Sequence, residues 1–307
     1  MNKTNNLKLL YMMTTKKSKK TRKNNKTRKN KFIKDKCSPK KNKKEKISCY
    51  TKGSLNRLKN IWNMKHSDMK ITSKDYVEIW KQLKSKMNNT CYRESCWLSE
   101  LYEDEHLKEK EYLINFAAKT PKSWKKNPTE WLSSLEIIEV MKRWENIDDE
   151  FEFIGPSPID YDTHIMYNEC VWEELCEFNL EDTLNRGKKK IGIIFNLDKH
   201  NQPGSHWVAL YIDLKKNEVY YFDSYGDRIP AQINKFVKKV QTQGKKLNIN
   251  IKKITLKKRH QYSDSECGMY SLYFIIQLVK GKSISHFNKR ISDKYMKKLR
   301  KTYFNDI

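Results

Sequence analysis

The apolar positions of the chain fall into two regimes. Up to about residue 180 they recur mostly every three to four residues, the period of a helix with one buried face. Residues 54–88 carry Leu55, Leu58, Ile61 and Trp62, then Tyr76, Val77, Ile79, Trp80 and Leu83 in that rhythm. Ser73 or Asp75 stands where the second of these helices needs a cap. Residues 97–118 continue the pattern, and residues 129–144 predict a further amphipathic helix through Trp131, Leu132, Leu135, Ile137, Ile138, Val140 and Met141. Between them, the polar stretch 119–128 with Pro121 and Pro128 reads as a linker. Gly155, Pro156 and Pro158 read as a break, and residues 165–180 as another helix.

From Lys190 the pattern changes to short apolar runs. Residues 191–197, 207–214 and 219–222 predict strands, the last two joined by the polar turn 215–218. Residues 229–240 are amphipathic and helical, and 247–256 alternate apolar with Lys or Asn, as an edge strand does. Residues 269–279 are apolar nearly all round, the mark of a buried helix. This order of elements predicts an α+β domain over residues 127–307, preceded by a smaller helical arm over 49–126.

Charge adds a third region. The 307 residues hold 64 Lys and Arg against 37 Asp and Glu, a formal charge of +27. Residues 1–48 hold 19 of the basic groups and only Asp35 and Glu45 as acids, so more than half of the excess sits there. With few apolar residues after Met13, that head reads as a basic, disordered segment. Contact with DNA, RNA or an acidic surface through residues 16–46 is the expectation its charge raises. Lysine outnumbers arginine 54 to 10, and asparagine numbers 26. An AT-rich genome writes that pairing by codon bias, which discounts the charge as evidence for a ligand. The longest nearly apolar run, residues 270–279, is about half the length of a membrane span. No transmembrane segment and no secretion signal are therefore expected.

Seven cysteines in an irregular arrangement, with no secretion signal, predict free thiols in a reducing compartment. No CxxC pair is present, so the spacing of Cys91 with Cys96, or of His164, Cys170 and Cys176, does not point to zinc.

One cysteine has chemical company. Cys267 lies between a polar loop and the buried helix, where the helix dipole and free N–H groups favour a thiolate. Gly268 follows, with room for a close backbone approach. His206, opening the strand at Trp207, is the candidate base. Asp223 ends the next strand, and the even count between the two allows them to oppose each other across an antiparallel hairpin. There Asp223 would orient the imidazole. Asp213, Asp227 and Asn196 are competing partners. Gln261, six residues before Cys267, offers an amide donor for an oxyanion hole. Each signal alone is weak, but the joint pattern is specific.

His206-Trp207, Phe222-Asp223-Ser224, Gln261 and Glu266-Cys267-Gly268-Met269-Tyr270, in that order, resemble the adenain and ubiquitin-like-protein protease superfamily of cysteine peptidases. Trp131-Leu132-Ser133-Ser134 resembles the segment that opens such a domain, and Ile193-Ile194-Phe195-Asn196 the strand before its histidine. The helical arm and Lys/Asn-rich composition are most similar to the polyprotein-processing proteases of large viruses. The resemblance implies a permuted papain-like core. Its roles fall on Cys267 as nucleophile, His206 as general base and then acid, Asp223 as orienting acid and Gln261 as oxyanion donor, with Trp207 packed near the histidine.

The resemblance further implies a polypeptide substrate with a Gly-rich cleavage site, no cofactor or metal, and a place in the virion and host cytoplasm. Two alternatives stand beside this reading. One is removal of SUMO or ubiquitin from host conjugates, and the other is an inactive polyanion-binding virion protein.

Overall fold

The computed structural model describes residues 32–40 and 47–306. The expected contact of residues 16–46 with a polyanion therefore lies largely outside the described residues. The arm consists of α1 (Lys52–Lys65), α2 (Tyr76–Lys86), α3 (Cys96–Leu101) and α4 (Glu105–Asn115). Thr51, Asp75 and Asp104 cap α1, α2 and α4 through side-chain oxygens on first-turn N–H groups. Strand β1 (Ala118–Lys119) follows, and then α5 (Ser134–Glu145), which starts in a capping box between Ser133 and Glu136.

The core continues with β2 (Phe151–Pro158), α6 (Glu173–Cys176), α7 (Leu180–Asn185), β3 (Lys190–Asn196), β4 (Trp207–Asp213) and β5 (Glu218–Phe222). It closes with α8 (Ala231–Lys246), β6 (Lys252–Thr255), α9 (Cys267–Val279), α10 (Asp293–Tyr303) and β7 (Phe304–Asn305).

The five-stranded sheet has the order β2-β3-β4-β5-β6. Its three central strands are antiparallel, and β2 and β6 join the edges in parallel. All seven residues of β4 are buried because both faces of the sheet are covered. Trp207, Ala209 and Tyr211 point to the layer formed by α5 and α9; Val208, Leu210 and Ile212 point to the layer formed by α8. Helix α9 is buried along its whole length, so the residue at its start is held by a rigid element. The α+β class expected from the sequence is the class observed.

Four expectations need correction. The Gly-Pro stretch at 155–158 is part of strand β2 rather than a break. Its prolines sit on an edge strand, where the missing N–H costs no ladder bond, and the register shifts between Ile154 and Ser157. Residues 165–180 form two short helical turns rather than one helix. The stretch 119–128 is no loose linker, since Trp124 is buried in the main core. Finally, the boundary at residue 48 falls inside the folded unit, which runs from Phe32 and includes the arm and core together.

That last point rests on Asp35. It is buried and accepts from Ser95 N at 2.7 Å and from Asn305 Nδ2 at 3.0 Å. Lys36 N in turn donates to Asn305 Oδ1 at 2.9 Å, and β7 pairs with β1. Both ends of the described chain thus meet on the arm. Among the described residues no helix is long and apolar enough to cross a membrane.

Candidate active site

Cys267 is the first residue of α9 and is buried. The first-turn N–H groups of a helix lack intrahelical acceptors, and its dipole favours an anion there. It is also the one cysteine without a disulfide. Cys37 pairs with Cys49, Cys91 with Cys96 and Cys170 with Cys176, at Cα separations of 4.8, 5.6 and 6.2 Å. The expectation of seven free thiols is therefore wrong for six. Sequence spacing could not show that the fold brings each pair within bonding reach. His164 Nε2 lies 3.6 Å from Cys170 Sγ, but the disulfide removes the two thiolates a metal would need.

His206 stands one residue before β4, and Asp223 one residue after β5. The ladder pairs Ala209 with Phe222, so the two are not directly opposed as expected. They lie diagonally on the same face, two residues out of register, still within reach of side chains. His206 Nε2 is 2.8 Å from Asp223 Oδ1, and Asp223 is almost wholly buried. Tyr225 N also donates to that oxygen at 2.8 Å. The other ring nitrogen, Nδ1, is left free of Asp223, and Cys267 is near enough to act on the charge of the imidazole.

Electrostatics follow from this geometry. Burial by itself pulls the imidazolium down. The hydrogen bonds and charges of Asp223 and Cys267 outweigh it, so His206 is pushed up to about 9. Such an arrangement keeps a protonated imidazole beside the cysteine, the proton donor that a leaving amine needs.

Tyr225 went unnoticed in the sequence. Extending the β4–β5 register places it opposite His206, and its ring stacks on the imidazole at 4.7 Å between centroids, tilted by 16°. Its position in Phe222-Asp-Ser-Tyr225 was the available signal. A second tie links it to Gln261, whose Nε2 lies 3.4 Å from Tyr225 Oη.

Gln261 is fully buried, and its amide is already engaged. Nε2 donates to Ser263 O at 2.5 Å, and Oε1 accepts from Ser224 Oγ at 2.7 Å. It braces the loop that leads into α9, beside the ring that covers His206. Service as an oxyanion donor requires exchanging the Ser263 bond for one to substrate.

The secondary candidates settle differently. Trp207 is buried, and its Nε1 donates to Leu132 O at 2.9 Å, tying the start of β4 to α5. Asn196 serves the loop before His206, where its Oδ1 accepts from Asp198 N and Ser205 N. Gly268 faces Leu132 rather than open space: a Cβ there would lie 3.0 Å from two Leu132 atoms. Its missing side chain lets α9 approach the segment before α5, a packing reason in place of the expected substrate approach. Of the competing acids, Asp213 sits at the far end of β4, accepting from Lys215 N and Lys216 N.

A groove of about 540 Å³ runs beside these groups, walled by Trp131, Leu132, Pro156, Trp172 and Trp207. Leu132 touches Gly268, and Trp207 follows His206, so one end of the groove lies against the cysteine's neighbours.

Residues 178–307 match the family model of the Ulp1 protease family, C-terminal catalytic domain. A protein of Acanthamoeba polyphaga mimivirus that bears the name of a thiol protease is 28% identical over 288 residues, covering 88% of this chain and 93% of that one. A cysteine protease of African swine fever virus is 27% identical over 256 residues, covering 78% and 92%. The crystal structure of an African swine fever virus protease has the same fold, with a TM-score of 0.62 and 23% identity over 89% of this chain and 96% of that one. A lone buried thiol at a helix start, beside an imidazole that a buried carboxylate holds, is what such enzymes require. The chain is a thiol protease, similar over residues 178–307 to the Ulp1 protease family's catalytic domain and along most of its length to viral thiol proteases.

Proposed function

We propose that this thiol protease is an endopeptidase that cleaves after small residues of the Gly-Gly type and matures viral structural polyproteins during particle assembly. The observation that carries the reading is the line Asp223, His206, Cys267, closed on the one free cysteine. In this account the Cys267 thiolate attacks the peptide carbonyl, and the C–N bond breaks as His206 gives its Nδ1 proton to the leaving amine. A thioester remains, and His206 then takes a proton from water, which attacks the thioester and releases the acid and the thiol. Asp223 holds the ring and supports its positive form. Gln261 and first-turn N–H groups of α9 receive the developing oxyanion.

The preference for small residues is carried by the family resemblance, with aromatic walls of Trp131, Trp172 and Trp207 along the groove beside the site. The setting in virion and host cytoplasm is supported by viral relatives that match over most of their length.

A second reading is favoured by one observation: an African swine fever virus relative, 27% identical over 259 residues, is named a SUMO-1 cysteine protease. That reading would make this chain a deconjugase. Measuring kcat/KM on Gly-Gly-Xaa peptides, and on SUMO and ubiquitin conjugates, separates the two. The proposal predicts efficient cleavage of the peptides. Conjugates cleaved a hundredfold better than any peptide would overturn it.

A further inference from the structure

A cavity of about 1200 Å³ lies where the arm helices meet α10 and the segment before α5. It contains none of the active-site groups. Eight cationic and two acidic side chains line it, a surplus of six positive charges. The arrangement of those charges is more telling than their number. Lys297 and Lys301 are four apart on α10, so they share a face with Arg300 between them. Lys122 and Lys125 are three apart on a 3-10 helix, where that spacing stacks one side chain above the other. Among the described residues none of these four lysines meets an acid. Like charges at such spacings repel, so each pair destabilises its own helix unless an anion joins them.

Arg300 makes the wall more than a solvated surface. Its side chain is 5% exposed and held on two sides: Nε donates to Glu266 Oε2 at 3.0 Å, and Nη2 to Ser265 O at 3.3 Å. Its guanidinium lies over the Trp124 ring at 4.5 Å. Its third nitrogen, Nη1, is buried and meets no acceptor among the described residues. A fixed guanidinium with an unused N–H group beside four unpaired lysines is the donor set that recognises phosphate oxygens.

We propose that this cavity binds a compact phosphate anion of several charges, with Arg300 Nη1 as its buried anchor and Lys122, Lys125, Lys297 and Lys301 around it. Free polyphosphate and the phosphate tail of a nucleotide share that chemistry. A nucleic-acid duplex does not fit the description, because the anchor is buried.

The test is calorimetric titration of the full-length protein with sodium tripolyphosphate and, separately, ATP, at about 0.15 M salt, where surface charge is well screened. A saturable 1:1 site is expected. The pair Lys297→Glu/Lys301→Glu should weaken it at least tenfold, and so should Lys122→Glu/Lys125→Glu. The head pair Lys19→Glu/Lys20→Glu, with the same change of charge, should leave it within twofold. Unchanged thermal unfolding of each variant verifies the fold. Stronger binding of ATP assigns the site to nucleotides, and equal binding assigns it to phosphate alone. Three results would overturn the proposal: no saturable site, equal weakening by all three pairs, or displacement of tripolyphosphate by a DNA duplex that binds more tightly.

Discussion

His206 meets Asp223 through Nε2, 2.8 Å from Oδ1, which leaves Nδ1 as the nitrogen that serves Cys267. The acid therefore sets both the orientation of the ring and the charge it carries, and the pH profile should report on it.

Because Asp223 and Cys267 push His206 up to about 9, the imidazolium persists through neutral pH and is lost as pH rises through that value. Peptide turnover should fall along the same limb, since the leaving amine then lacks its proton donor. Asp223→Asn keeps an acceptor for the ring but removes a charge. Its alkaline limb should move down toward the ordinary histidine value of about 6.5. Stability has the same sign. A raised folded-state pKa contributes stability that is complete below the unfolded value and lost through about 9. An alkaline limb that does not move in Asp223→Asn would contradict this account of the pair.

Gln261 has two separable functions, as an acceptor for Ser224 and as a donor. Gln261→Glu keeps the first and loses the second. It should lower kcat on the order of a hundredfold, the typical cost of one oxyanion donor. Gln261→Ala should be as slow and also less stable, since Ser224 Oγ loses its partner. Wild-type kcat in Gln261→Glu would remove the residue from the chemistry and leave it as a loop brace.

Gly268 tests packing beside the nucleophile. In Gly268→Ala the new Cβ meets Leu132 at 3.0 Å, and overpacking of this kind costs about 1–3 kcal/mol. Denaturant unfolding of Gly268→Ala, Leu132→Ala and the double variant should show the two changes partly cancelling. Additive losses would mean that α9 yields elsewhere.

The N-terminal boundary gives a fourth test. Removing residues 1–31 should spare peptide cleavage, because the described buttress begins at Asp35. Removing residues 1–48 takes Asp35 away from Ser95 and Asn305 and breaks the Cys37–Cys49 bridge. Each buried polar group left unpaired costs about 1–3 kcal/mol. The longer deletion should lower Tm by several degrees and reduce the fraction of folded enzyme. Equal Tm for both would return residues 32–48 to the head.

These results mark where the sequence was legible. The strands and the buried helix were plain because their apolar periods differ, and Cys267, His206 and Asp223 stood out because each ends or begins such an element. Strand β2 was hidden by Gly155 and Pro156, whose local preference for a break yields to pairing with β3. Tyr225, Arg300 and Asp35 act through partners 19 to 270 residues away, and no local spacing encodes such meetings. The disulfides were hidden for the same reason, which makes the isolation of Cys267 a finding of the fold.

The most direct measurement treats folded protein with a glycine-terminated electrophilic probe and maps the adduct by peptide mass spectrometry. The account predicts a single adduct, on Cys267, formed much more slowly in His206→Ala and absent in Cys267→Ala. No labelling of the folded wild-type protein, or labelling on another residue that survives in Cys267→Ala, would contradict it.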